Sequence, residues 1–174
     1  MGQTFERWSF VIGASVSAIP LAVLAAWLLT RARQRAGHPH ATRTAVADVV
    51  MMVGTAPWIW MILTPTGGRG GVEFVPLRDL FTLAPNEVLP QIGGNLLVFA
   101  ALGAMLPVRS ARFASPVRIV GLAAVASLTV ETLQYVLHLG RVSSIDDVLV
   151  NSLGALVFSL LTHPWWAGRP AVLP

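Results

Sequence analysis

The chain has 174 residues, of which 55% are hydrophobic and 11% are charged, and its mean hydropathy is +0.68. These values exclude an ordinary soluble domain and predict an all-α, polytopic membrane helix bundle. Cysteine and lysine are both absent, which excludes disulfides, thiolate metal ligands and cysteine or lysine nucleophiles. The net charge of +4 is attributed to membrane orientation, and no nucleic acid is expected as a partner.

Five apolar windows of 21 residues are each long enough to cross about 30 Å of hydrocarbon as a helix. They comprise residues 10–30, 44–64, 88–108, 119–139 and 148–168. Three of them contain no charge, whereas the second carries Asp48 near its start and the fourth carries Glu131 well inside. Because no repeat, low-complexity tract or internal linker interrupts the chain, we expect a single membrane domain over residues 1–174.

The arginines indicate how the bundle is oriented, since short loops rich in arginine tend to stay in the cytoplasm. They cluster after the first and third windows and in the tail: Arg31, Arg33, Arg35, Arg43, Arg109, Arg112, Arg118 and Arg169. Acidic residues dominate on the opposite side. The sequence therefore predicts a multi-pass plasma-membrane protein with its N-terminus outside and its C-terminus in the cytoplasm.

The longest connection covers residues 65–90 and opens with TPTGGRGG. Its glycines predict a flexible start, and its later apolar positions predict a segment that packs over the outer face. In the third and fifth windows, Gly103 and Gly154 are small residues of the kind that allow membrane helices to approach closely.

One short stretch, ETLQYVLHLGRVSSIDDVLVN, contains Glu131, Gln134, Arg141, Asp146, Asp147 and Asn151. On a helix, Glu131, Gln134, Tyr135 and His138 would share one face that runs toward the outer surface. Ionisable groups in or beside hydrocarbon are costly, so this concentration indicates a site. A Glu131 carboxyl that merely bonds a neighbouring helix is the competing interpretation.

The motif SSIDD has the pattern of a helix start, with Ser143 or Ser144 as the N-cap. Asp147 would then share an inward face with Asn151 and Gly154, whereas Asp146 is expected to be a cap or a loop partner of Arg141.

Asn95 is a further polar residue, and it lies early in the third window. It is expected to share a hydrogen-bond network with Gln134 or Asn151, or to form only an interhelical hydrogen bond. Since no compact ligand spacing is present, we expect neither a metal site nor a cofactor.

Two segments within residues 88–168, NLLVFAALGAMLP from Asn95 and ETLQYVLHLGRVSSIDDVLVNSLGAL from Glu131, together resemble the VanZ-like membrane protein family. The resemblance assigns the family pattern to Asn95, Gly103, Pro107, Glu131, Gln134, Arg141, Asp146, Asp147, Asn151 and Gly154. VEFVPLRDL from Val72 departs from the family's usual Asn-Leu-x-Pro-Phe loop. The resemblance implies a bacterial plasma-membrane protein, in a family whose named member confers low-level teicoplanin resistance.

The leading hypothesis is an outer-face protein that acts on cell-envelope components and lowers teicoplanin susceptibility. The partners it implies are the lipid bilayer and a lipid-linked cell-wall precursor or a glycopeptide. The alternative is an intramembrane enzyme acting on such a precursor, with Glu131 and Asp147 as the acid–base pair and Arg141 binding a phosphate or carboxylate. Catalysis is left open by the sequence, as are a small transporter and a structural assembly partner.

Overall fold

The computed structural model describes residues 2–84 and 88–167, so Arg169 lies outside the described residues. Its long helices are α1 (Gly2–Arg35), α2 (Ala41–Ile62), α6 (Pro116–Val136) and α7 (Ile145–Leu161). The third window forms a π-helical segment (Leu89–Gly93), α4 (Gly94–Val98) and α5 (Ala100–Arg109). The short elements are β1 (Gly71–Glu73), α3 (Arg78–Thr82), a 3-10 turn (Ala111–Phe113), β2 (Val142–Ser144) and α8 (His163–Trp166).

Four helical stretches among the described residues are long and apolar enough to cross a membrane. They are Ile12–Arg35, Ala41–Ile62, Leu89–Arg109 and Pro116–Val136. The fifth predicted window forms α7, whose 17 residues extend about 25 Å, followed by α8. Helix α7 packs against α4, α5 and α6. The predicted all-α membrane bundle is therefore confirmed, with four helices that satisfy the length and composition of a span.

Glycines at the centre of the bundle allow two backbones to meet. A Cβ atom added to Gly103 would lie 2.2 Å from the Ala155 carbonyl oxygen, and one added to Gly154 would lie 2.1 Å from that of Leu96. Both distances are far below van der Waals contact, so only glycine fits at these positions. The predicted close packing of the third and fifth windows is confirmed.

The two strands pair in parallel, with Glu73 opposite Ser144. This pairing places the connection after α2 across the start of α7. The glycine-rich part, expected to be flexible, is instead held: Thr66 donates from its N–H to the Leu139 carbonyl over 2.9 Å. A Cβ atom at Gly68 would lie 2.5 Å from the Gly140 carbonyl oxygen, so these glycines provide close approach between two loops.

The opposite end of the bundle, which we call the arginine-rich end, carries Arg31, Arg33, Arg35, Arg43, Arg109, Arg112 and Arg118. Asp48 at the start of α2 joins three helices there, since its two carboxylate oxygens accept from Arg33 of α1 over 2.5 Å and from Arg109 of α5 over 2.8 Å. We call the end that carries β1, β2 and the start of α7 the loop end.

Candidate functional site

A buried polar stripe lies along α6. Ser127, Glu131 and Gln134 recur at helical spacing, and all three are buried. The four-residue stripe expected from the sequence is only half correct, because α6 ends at Val136. His138 lies beyond the helix in the left-handed conformation (φ 51°) and is exposed, and Tyr135 is also exposed.

Glu131 is bound to the strand β2 that follows its own helix. Its Oε2 accepts from the Ser144 N–H over 3.2 Å, and the Ser143 hydroxyl donates to the Glu131 carbonyl over 2.9 Å. The residue is only 6% exposed. The carboxyl group therefore lies beside β2, close to the parallel strand pair.

Asp147, in the first turn of α7, faces the same region. Asn95 donates from Nδ2 to its carboxylate, which links α4 to α7. Of the two roles that the sequence left open for Asn95, the structure shows the interhelical hydrogen bond, and its partner is Asp147 rather than Gln134 or Asn151. Asp147 and Arg141 both interact electrostatically with the Glu131 carboxyl. Two acids and one arginine therefore converge at the loop end.

Asn151 lies one turn deeper on α7 and is 2% exposed. Its Nδ2 donates to the Ser127 hydroxyl over 2.8 Å, while its Oδ1 is buried without a hydrogen-bond partner among the described residues. An unpaired buried amide oxygen is costly and can accept from a ligand. Sequence reasoning missed Ser127, although its position four residues before Glu131 could have indicated it.

We call Asn95, Ser127, Glu131, Asp147 and Asn151 the polar cluster. Three helices supply it, namely α4, α6 and α7. It presents two carboxyl groups, two amides and a hydroxyl, so it can accept hydrogen bonds from hydroxyl, amide or ammonium groups and can exchange a proton.

Gln134 and Arg141 were predicted to bind a ligand. In the structure, both side chains instead bond to backbone carbonyls at the C-terminal end of α2. Gln134 donates from Nε2 to the Ile62 carbonyl over 3.1 Å, and Arg141 donates from Nη2 to the Met61 carbonyl over 3.2 Å. The last carbonyls of a helix lack intrahelical partners and carry partial negative charge, which a cation stabilises. These two side chains thus fix α2 against the loop end.

Ser144 is the N-cap of α7, as predicted, since its hydroxyl accepts from the Asp146 N–H over 3.2 Å. Asp146 is 2% exposed, and its Oδ1 accepts from the backbone N–H of Leu77 over 2.5 Å. Leu77 has a positive φ of 66°, which is unfavourable for a residue other than glycine. Asp146 therefore bonds the loop that precedes α3 through Leu77, a partner that the sequence did not indicate.

The described residues contain no group of three or more histidines or acids arranged to hold a metal ion. The cluster has only Glu131 and Asp147 as ionisable members, and Asp147 already accepts from Asn95.

Four membrane-compatible helices with a polar cluster at one end define a multi-pass membrane protein. A sequence model of the VanZ/LLP1 family matches residues 17–166, most of the chain, and the chain belongs to this family. The match confirms the resemblance and extends it toward the N-terminus, to α2 and to α1 from residue 17 onward. No curated protein and no solved structure is significantly similar to this chain.

Proposed function

We propose that this protein acts at the outer face of the bacterial plasma membrane on a cell-envelope component and thereby lowers susceptibility to teicoplanin. The observation that carries the proposal is the convergence of Glu131 and Asp147 next to β2 at the loop end. Gln134, Arg141 and Asp146 are engaged in holding α2 and the loop. The two acids and Asn151, whose Oδ1 has no hydrogen-bond partner among the described residues, are therefore the members of the family pattern best suited to meet a ligand.

The orientation in this proposal rests on the two ends of the bundle. The arginine-rich end fits the cytoplasmic side, because arginine-rich loops are retained there. The loop end then faces outward, with the N-terminus outside and the C-terminus inside. On that side the polar cluster would meet lipid-linked cell-wall precursors and lipophilic glycopeptides, which we propose as its partners together with the bilayer itself.

Susceptibility to teicoplanin and vancomycin in a sensitive Gram-positive host tests this function. We expect wild type to raise the minimum inhibitory concentration of teicoplanin by about twofold to eightfold, with a smaller effect on vancomycin. Glu131→Gln and Asp147→Asn should each abolish the effect, because an amide cannot carry the charge or exchange the proton of a carboxyl group.

Asp48→Asn is the matched control, since it makes the same chemical change in an acid at the arginine-rich end. It should retain the teicoplanin effect when all variants are compared at equal membrane levels. The proposal would be overturned if wild type changed susceptibility to neither drug. Equal loss in Asp48→Asn would instead attribute the effect to bundle integrity and remove the argument for the polar cluster.

One observation favours a second function, that of an intramembrane enzyme. Glu131 has a second carboxyl group, Asp147, and a cation, Arg141, within electrostatic reach, an arrangement that can serve general acid–base catalysis. An enzyme would convert a lipid-linked cell-wall precursor when reconstituted with it, and Glu131→Gln would lower the rate by about a hundredfold or more. Binding of the precursor without conversion would support the non-catalytic function and exclude this one for that substrate.

A further inference from the structure

Helix α1 contacts the bundle along one stripe. Its half-buried positions recur every three or four residues on the side that packs against α2: Ser15, Ala18, Ala22, Ala26, Leu29, Thr30 and Arg33. The intervening positions are exposed and largely apolar, with Ile19, Val23, Leu24 and Leu28 among them. In a membrane this exposed face is covered by lipid tails, which are as apolar as the side chains.

The arginines at the end of α1 divide between these two faces. Arg33 lies on the packed face and pairs with Asp48. Arg31 and Arg35 lie on the exposed face, four residues apart, and no acid among the described residues pairs with either of them. Trp27 lies one turn before Arg31, whose guanidinium carbon is 5.3 Å from the indole ring centroid.

A surface groove lies on this exposed face of α1, and we call it the Trp27 groove. It is lined by Trp27, Leu28, Arg31, Ala32 and Arg35. One end of the groove continues into the apolar face of α1, and the other end carries two cations. A tryptophan at this depth is typical of the boundary between hydrocarbon and headgroups. The groove therefore combines an apolar approach with a positively charged end at that boundary.

We propose that the Trp27 groove binds the headgroup of an anionic phospholipid, with the phosphate held by Arg31 and Arg35 and the acyl chains lying along α1. Guanidinium groups bind phosphate oxygens in a bidentate manner, and basic pockets at the ends of membrane helices suit anionic headgroups. A second copy of the chain is a poorer occupant, because two such surfaces would bring like charges together. The site is separate from the polar cluster, and it requires only that α1 spans the bilayer.

Native mass spectrometry of the full-length protein in detergent tests the site, with phosphatidylglycerol as the anionic probe and phosphatidylcholine as the zwitterionic reference. Wild type should bind phosphatidylglycerol about tenfold or more tightly than phosphatidylcholine. In Arg31→Gln/Arg35→Gln that preference should fall to less than about twofold, because each arginine near a headgroup contributes about a fivefold gain in affinity. Free glycerol phosphate should not compete at millimolar concentration, since it lacks the acyl chains.

Arg112→Gln/Arg118→Gln is the matched control, since it removes the same charge from exposed positions at the same end of the bundle. It should retain the phosphatidylglycerol preference within about twofold. Equal loss in both double variants would overturn the site and leave only a general attraction of the arginine-rich end for anionic lipid. Competition by free glycerol phosphate would identify a soluble phosphate site instead, and no preference in wild type would also refute the proposal. All four positions are exposed, so the variants should match wild type in size-exclusion profile.

Discussion

Gly154→Ala is expected to lower the free energy of unfolding by about 3 kcal/mol or more, the upper end of the cost of overpacking a well-packed interior. The added methyl carbon would lie 2.1 Å from the Leu96 carbonyl oxygen and 2.8 Å from two further backbone atoms of the same residue. A backbone segment cannot rotate away as a side chain can, so α7 and α4 would have to separate. That movement would also separate Asp147 from Asn95.

Unfolding with increasing dodecyl sulfate in mixed micelles, followed by far-ultraviolet circular dichroism, measures this effect. Gly121→Ala is the matched control, since Gly121 lies on the exposed side of α6 and a Cβ atom there meets nothing within 4 Å. We expect Gly121→Ala to change the free energy of unfolding by no more than about 1 kcal/mol, and in the stabilising direction, because alanine favours a helix over glycine. Equal unfolding curves for both variants would show that the close approach of α4 and α7 is not required for stability.

Local patterns in the sequence account for much of this fold. Apolar length predicted the helices, and the small side chains at Gly103 and Gly154 predicted where helices meet. The N-cap at Ser144 was also predictable, since it depends only on residues within the same turn. Each of these features is decided by side chains close together in the chain.

The contacts that organise the loop end were not predictable in the same way. Gln134 and Ile62 are 72 residues apart, and Arg141 and Met61 are 80 residues apart. Periodicity indicates which face of a helix is polar, but it does not indicate which distant carbonyl that face will meet. For the same reason the parallel pairing of Glu73 with Ser144 could not be derived, since each strand has only three residues and no alternation to detect.

The role of His138 was mistaken for a related reason. The apolar window extended to residue 139, so helical spacing was assumed beyond the true end of α6 at Val136. His138 instead adopts the left-handed conformation, and the Leu139 N–H bonds back to the Gln134 carbonyl over 3.1 Å. This hydrogen bond and the left-handed residue form a common type of helix C-cap. The left-handed position is usually occupied by glycine or asparagine, so a histidine there did not indicate the end of the helix.

Asp146→Ala is expected to release the loop that precedes α3 while leaving the helices folded. The substitution removes the buried carboxylate that accepts from the Leu77 N–H, and a hydrogen bond to a charged group contributes about 1.5–3 kcal/mol. Leu77 also loses a contact that offsets its unfavourable positive φ. Hydrogen exchange of residues 71–82 should therefore accelerate by about tenfold to a hundredfold, since each factor of ten corresponds to about 1.4 kcal/mol.

Asp146→Asn separates the hydrogen bond from the charge, because asparagine keeps a carbonyl oxygen at the Oδ1 position. In Asp146→Asn, hydrogen exchange of residues 71–82 should stay within about threefold to fivefold of wild type. This variant loses only the favourable charge at the start of α7, a loss that Asp146→Ala shares. Exchange in α2 serves as the internal reference and should stay unchanged in both variants. If residues 71–82 stayed protected in Asp146→Ala, the pairing of β1 with β2 would be sufficient to hold the loop. The hydrogen bond from Leu77 to Asp146 would then not be needed for that purpose. If the loop is released as expected, Ser144 should lose its strand partner Glu73, and β2, to which Glu131 is bound, should become less firmly held.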